Sequence, residues 1–172
     1  MKKSGIVWIG LLFLFSCLPK QQWKRDAIDK REKYLLEASK RGIIDTASVH
    51  ALINDYITYA DQYPSDSDAA TYLFKAADFY RFMRQPLQSV QLYNRIYGQF
   101  PKSEKRPYSL FLQGFIYEND VKNLDSARVK YQQFLDNYPN HPIAKDVKVT
   151  LDNLGKTPEQ MFEEFQKNKS NP

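Results

Sequence analysis

The chain has 172 residues, 42% of them hydrophobic, 26% charged and 15% aromatic, with 6 Gly, 9 Pro and one Cys. Such a composition excludes a wholly disordered or collagen-like chain, and one Cys excludes an internal disulfide framework. The net charge of +5 is mild and does not by itself indicate a nucleic-acid surface. The excess is concentrated early: residues 20–42 hold eight Lys/Arg against four Asp/Glu.

Residues 1–17 open with Lys2 and Lys3, continue through an apolar run from Gly5 to Phe15, and stop at Ser16-Cys17. The run is too short for a membrane-spanning helix of about 20 residues and has the length of a secretory signal's apolar region. Leu14-Phe15-Ser16-Cys17 resembles the lipobox of bacterial lipoproteins, although Phe15 is larger than that pattern prefers. The resemblance implies cleavage before Cys17 and lipidation of its sulfur. A plain signal peptide with a chance Cys, or a short anchoring helix, are the alternatives. Buried acyl chains contribute about 0.8 kcal/mol per CH₂, so two or three of them hold a protein on a bilayer stably. Lys20 and the absence of Asp just after Cys17 are compatible with the outer membrane, and the expected location is lipid-anchored there, facing the periplasm.

The remaining chain repeats. An aromatic-Pro pair recurs as Tyr63-Pro64, Phe100-Pro101 and Tyr138-Pro139, at intervals of 37 and 38 residues. Periods of this size indicate stacked helical hairpins. Pro disfavours helix at the residue before it, so each pair marks a helix end. Apolar residues at three- and four-residue spacing precede each pair: Val49, Leu52, Ile53, Tyr56 and Ile57; Val90, Tyr93 and Ile96; Ala127, Tyr131 and Phe134. A second helical stretch follows each turn. Ser67 or Asp68 is the expected cap of a helix carrying Ala70, Leu73, Phe74, Ala77 and Tyr80. Pro107 is expected to open a helix carrying Leu110, Phe111, Gly114, Phe115 and Tyr117.

These residues resemble the tetratricopeptide repeat (TPR). In Ala70–Pro101, Leu73, Ala76-Ala77, Tyr80, Ser89, Tyr93, Ile96 and Pro101 stand at the repeat's spacing. In Pro107–Pro139, Leu110, Gln113-Gly114, Tyr117, Ala127, Tyr131, Phe134 and Pro139 do so, with one extra residue assigned to the Asp120–Leu124 turn. A more degenerate unit spans about Arg31–Pro64, its helices expected near Trp23–Arg41 and Thr46–Gln62. Residues 141–155 read as another helix. Thr157 and Gln160 form a capping box for a last short helix with Met161, Phe162 and Phe165, expected to seal the stack. The predicted fold is all-α: a right-handed TPR-like solenoid of about three hairpins plus C-terminal capping helices. Its predicted parts are a cleaved signal (1–16), a lipidated tether (17–22), the helical domain (23–166) and a frayed tail (167–172). The lipobox together with Asn137-Tyr138-Pro139-Asn140-His141-Pro142 resembles the bacterial envelope lipoproteins of the BamD type, which implies a part in outer-membrane protein assembly.

Signatures of catalysis are missing: there is no G-x-x-x-x-G-K-[ST], G-x-S-x-G or H-E-x-x-H. His50 and His141 have no ligand partners in sequence, so neither a metal nor another cofactor is expected, and no catalytic residue is assigned. The remaining expectation is partner binding. The TPR resemblance implies a concave groove lined by the first helices of successive repeats. Here it presents Thr71, Phe74, Lys75, Asp78, Arg81 and Phe82 from one repeat and Tyr108, Phe111, Phe115, Glu118 and Asn119 from the next. Phe74, Phe111 and Phe115 are equally readable as core. The Lys/Asn set that grips a C-terminal carboxylate in some chaperone-binding TPRs is lacking. Function is therefore expected to be a lipid-anchored scaffold for an envelope protein partner, with neither nucleic acid nor small-molecule substrate. The alternative is a structural or cell-wall-linked protein acting by self-association.

Overall fold

A computed structural model describes residues 20–170. The signal-peptide and lipidation expectations, Cys17 included, lie outside the described residues. Among the described residues eight α-helices follow one another: α1 (Lys20–Lys40), α2 (Thr46–Gln62), α3 (Ser67–Phe82), α4 (Pro86–Gln99), α5 (Lys105–Ile116), α6 (Leu124–Asn137), α7 (Ala144–Asp152) and α8 (Pro158–Ser170). A π-helical turn, Tyr117–Val121, continues α5. There is no strand among the described residues. The chain divides at Ile44 into two compact units, so α1 belongs to one and α2–α8 to the other. Within the second unit each helix from α2 to α6 packs on the next, and α3 also touches α5. That is the layering of a TPR-like α-solenoid.

The aromatic-Pro turns are one structure used three times. Tyr63, Phe100 and Tyr138 end α2, α4 and α6 with φ/ψ of −130/57, −121/66 and −135/51. Each donates its N–H to the carbonyl four residues back, on Tyr59, Ile96 and Phe134. Each then accepts, through its own carbonyl, the N–H three residues on: Asp66 at 3.0 Å, Ser103 at 3.0 Å and His141 at 3.1 Å. Proline forces this geometry, because it removes a helical donor and pushes the preceding residue out of the α region.

Two buried clusters among the described residues lie in the second unit, beside the buried Val49, Leu52, Ile53, Tyr56 and Tyr59 of α2. Ala60, Leu73, Ala77, Tyr93, Ile96 and Ile116 join α2 through α5. Leu110, Ala127, Tyr131, Phe134, Val147 and Leu154 join α5 through α7. Burying each of the large side chains stabilises the fold by about 1.5–3 kcal/mol before entropy is counted. Gly114 sits where α5 meets the Tyr131 ring, and a methyl there would lie 2.7 Å from two ring carbons.

Several local expectations shift. The α3 cap is Asp66, not Ser67 or Asp68; its carboxylate accepts from the Asp68 N–H at 2.8 Å and from the Tyr59 hydroxyl at 2.8 Å. An acid one residue earlier reaches the free N–H groups of the first turn and the preceding hairpin together. Helix α5 starts at Lys105, which leaves Pro107 inside its first turn. The extra residue of the longer interval is absorbed in the π turn, not in the Asp120–Leu124 loop. Helix α1 begins at Lys20, within the stretch expected as tether, and α8 reaches Ser170. The capping box forms as expected, with Gln160 N–H on Thr157 Oγ1 at 3.3 Å and Thr157 N–H on Gln160 Oε1 at 2.9 Å. Yet none of the described side chains of α8 is buried: Met161, Phe162 and Phe165 are exposed. Closing the end of the stack therefore falls to α7, through Ala144 and Val147.

Candidate partner-binding face

Helices α3 and α5, with the π turn that continues α5, carry the predicted groove residues in pairs 37 positions apart: Thr71/Tyr108, Phe74/Phe111 and Asp78/Phe115 on the helices, and Arg81/Glu118 and Phe82/Asn119 where α3 ends and the π turn runs. The matching follows from the repeat, since equivalent positions on equivalent helices face the same way.

The first aromatic pair is part core and part surface. Phe74 stands edge-on to Tyr93 at 5.1 Å, and Phe111 lies 5.9 Å from Tyr131 and 6.5 Å from Phe134. Both are half-buried and packed against the two core clusters. Lys105, from the start of α5, sets its ammonium 5.2 Å over the Phe74 ring. Phe115 is also half-buried, 6.3 Å from Phe111.

A chain of polar contacts runs beside these rings. The Tyr93 hydroxyl donates to Asp78. Desolvation raises the Asp78 carboxyl above the ordinary carboxylate range, against the opposing pull of that hydrogen bond and of the Arg81 and Lys105 cations. Burial, and then the same carboxylate, push the Tyr93 phenol up. Arg81 bridges the two repeats: its Nε donates to Asp120 at 2.8 Å and its guanidinium lies 4.7 Å over Phe115. The Tyr131 hydroxyl donates to Glu118 at 2.7 Å. Lys75 stands 5.7 Å over both the Tyr56 and Tyr72 rings.

Tyr108 departs from this row. It is 40% exposed and lies edge-on to His141 at 5.1 Å, by the third aromatic-Pro turn. Phe82, 65% exposed, and Asn119 stand at the other end, with Asn119 Nδ2 donating to the Phe115 carbonyl at 3.0 Å. The structure thus gathers Phe74, Asp78, Arg81, Phe111, Phe115 and Glu118 through shared contacts, and leaves Phe82, Asn119 and Tyr108 at the ends.

Sequence reasoning missed Lys105, Arg106 and Asp120. Arg106 donates to the Tyr97 carbonyl and to the Tyr138 hydroxyl, each at 2.8 Å, and stacks 4.4 Å over the Tyr97 ring. It ties α4, α5 and the end of α6 together. Local periodicity carries no signal for such a contact, because its partners lie 9 and 32 residues away. Two clefts flank the turns at equivalent places. One, of about 550 Å³, includes Pro64, Thr71, Phe100 and Lys105 in its lining; the other, of about 460 Å³, includes Pro101, Arg106, Tyr108, Tyr138 and His141. Among the described residues no group of three or more His, Cys, Asp or Glu is placed to hold a metal ion.

Comparison with the curated proteins gives no match. The family model described as tetratricopeptide repeat matches residues 71–103 and 108–141. Those segments cover nearly all of α3 and α4 in one case and most of α5 with all of α6 in the other, so the chain carries tetratricopeptide repeats in its two complete hairpins.

Proposed function

We propose that this protein is a lipid-anchored adaptor of the bacterial cell envelope, holding another envelope protein on the α3/α5 face. The observation that carries the reading is the row of matched, half-exposed side chains on α3 and α5. Tetratricopeptide repeats mediate protein–protein interaction, and this row offers a partner rings, a carboxylate and cations at a fixed repeat. Rigid presentation lowers the ordering cost of binding. The envelope setting rests on the lipobox-like Leu14-Phe15-Ser16-Cys17, and a role in outer-membrane protein assembly rests on resemblance to the BamD-type lipoproteins. No helix among the described residues is long and apolar enough to cross a membrane, so attachment in this reading depends on Cys17.

Crosslinking in intact cells, followed by capture from detergent-solubilised envelope, tests the assignment. Recovery of barrel-assembly components supports it. The exposed Met161, Phe162 and Phe165 on α8 favour the alternative of self-association, and recovery of only this chain or of cell-wall material would replace the adaptor reading with that one. Cys17→Ala is expected to release the protein from membranes washed in high salt, which screens electrostatic contacts; its retention there sinks the lipid anchor.

A further inference from the structure

Helix α1 carries a surface that the α3/α5 reading does not use. Lys20, Trp23, Ala27, Lys30 and Tyr34 follow one another at spacings of three and four, so they share one face over about four turns. All five are exposed, Trp23 at 64% and Tyr34 at 56%. Ile28 and Leu35 are buried on another side of the helix, the acids Asp29 and Glu32 lie away from the stripe, and Asp26 borders it beside Lys30 and accepts from Gln22 Nε2 at 2.9 Å. Beyond Tyr34, Glu37 is neutralised locally by Lys40 at 2.8 Å.

Trp and Tyr with flanking lysines form the side-chain set that suits a bilayer interface. The rings settle at headgroup depth, and the lysine stems lie along the apolar boundary while their ammonium groups stay in water. Lysines beside the rings favour anionic lipid in particular, each adding attraction near a negative surface. An exposed Trp on a soluble helix, by contrast, leaves a large apolar ring in water without return.

We infer that the Lys20–Tyr34 stripe lies flat on an anionic bilayer surface, making α1 a second, electrostatic membrane contact beside the lipid. The nearness of that bilayer rests on the Cys17 anchor of the proposed function, three residues before α1 begins. The contact would hold α1 at the surface and so restrict where the tethered protein can reach.

The test uses the full chain with Trp8→Phe, which leaves Trp23 as the one tryptophan of the two in the sequence. It is prepared with Cys17 and with Cys17→Ser, and mixed with vesicles of phosphatidylcholine alone or with added phosphatidylglycerol, each bearing brominated acyl chains. In the Cys17→Ser form, Trp23 emission is expected to shift to the blue and to be quenched only when phosphatidylglycerol is present. Lys20→Glu with Lys30→Glu should lower the bound fraction about tenfold at low salt, with helicity by circular dichroism unchanged; added salt should do the same to the parent. This pair also controls for the apolar leader, which both proteins share. Equal Trp23 emission in the two lipids, or equal binding of the charge-reversed chain, overturns the proposal. The mass of the protein purified from bacterial membranes reports the anchor separately. Unmodified Cys17 with Trp23 still quenched would remove the anchor and keep the stripe; acylated Cys17 with Trp23 unquenched would do the reverse.

Discussion

The Tyr93 hydroxyl on α4 donates its proton to the Asp78 carboxylate on α3, closing the hairpin of the first matched repeat at the face proposed for the partner. Tyr131 and Glu118 make the corresponding contact in the next repeat, with the acid displaced along the helix to Glu118. Desolvation lifts Asp78 above the ordinary carboxylate value of about 3.9. The folded chain then keeps a proton that the unfolded chain has released, so stability falls as pH rises through that window and returns on acidification. Asp78→Asn removes the titration and should flatten this part of the profile. Urea midpoints measured across the acid range decide it: an unchanged slope in the variant would show that Asp78 is not the group responsible.

Gly114 and Tyr131 give a test of hairpin packing. A Cβ at position 114 falls 2.7 Å from the Tyr131 Cδ1 and Cε1 atoms, and both residues are buried. Gly114→Ala is expected to cost about 1–3 kcal/mol through overpacking, although alanine favours helix. The equivalent residue in the preceding repeat, Ala77, carries a methyl in the buried cluster that also holds Tyr93. Adding Tyr131→Leu should recover part of the loss if the ring is the obstacle. A Gly114→Ala melting temperature equal to the parent's would contradict the close approach.

Arg84 and Lys122, in the turns inside the two complete hairpins, have φ of 60° and 62°. A side chain in the left-handed region costs about 1–2 kcal/mol that glycine does not incur, part of which glycine returns as unfolded-state entropy. Arg84→Gly and Lys122→Gly are each expected to stabilise by about 0.5–1 kcal/mol. Because the turns belong to separate hairpins, the gains should add. Chemical denaturation of the two single variants and the double variant measures this; destabilisation by either change would refute it.

Arg106 joins two neighbouring turns by hydrogen bonds to the Tyr97 carbonyl and the Tyr138 hydroxyl while stacking on Tyr97. Lysine supplies neither the fork nor the planar stack. Arg106→Lys should therefore cost about 1–2 kcal/mol, nearly as much as Arg106→Met. A double-mutant cycle with Tyr138→Phe isolates one arm, and a coupling near zero would mean that the contact contributes nothing in solution.

How far the sequence shows all this depends on the range of each interaction. The three aromatic-Pro turns are legible because proline dictates its own neighbourhood. The Thr157–Gln160 box is legible because a cap is satisfied within three residues. The second helix of the degenerate unit, expected at Thr46–Gln62, has those bounds in the structure. The sequence points to Ser67 or Asp68 rather than Asp66 as the α3 cap because the choice also depends on Tyr59. The extra residue reads as part of a loop because a π turn leaves no mark in the spacing of apolar residues. Lys105 over Phe74 and Arg81 on Asp120 are 31 and 39 residues apart in the chain, and only stacking of the two hairpins brings them together. The apolar residues of α8 looked like a seal because periodicity states that a face is apolar, not that anything covers it.

The division of the aromatics between core and surface leads to the last prediction. Phe82 is 65% exposed and Phe111 is half-buried against Tyr131 and Phe134. Phe82→Ser should leave the melting temperature almost unchanged, as substitutions at exposed positions usually alter stability by less than about 0.5 kcal/mol. Phe111→Asp places a charge against the second core cluster and should cost about 3 kcal/mol or more. Arg81→Glu turns a cation above Phe115 into an anion facing Asp120, so it should weaken the bridge between repeats as well as any acidic partner contact. Crosslinking yield and melting temperature measured on the same three preparations separate the roles. If the α3/α5 face captures a partner, Phe82→Ser lowers the yield at unchanged stability and Phe111→Asp lowers both. A Phe82→Ser chain that melts and crosslinks like the parent would exclude the Phe82 end of the face from the contact, and a stable, partner-competent Phe111→Asp chain would contradict the packing of Phe111 on α6.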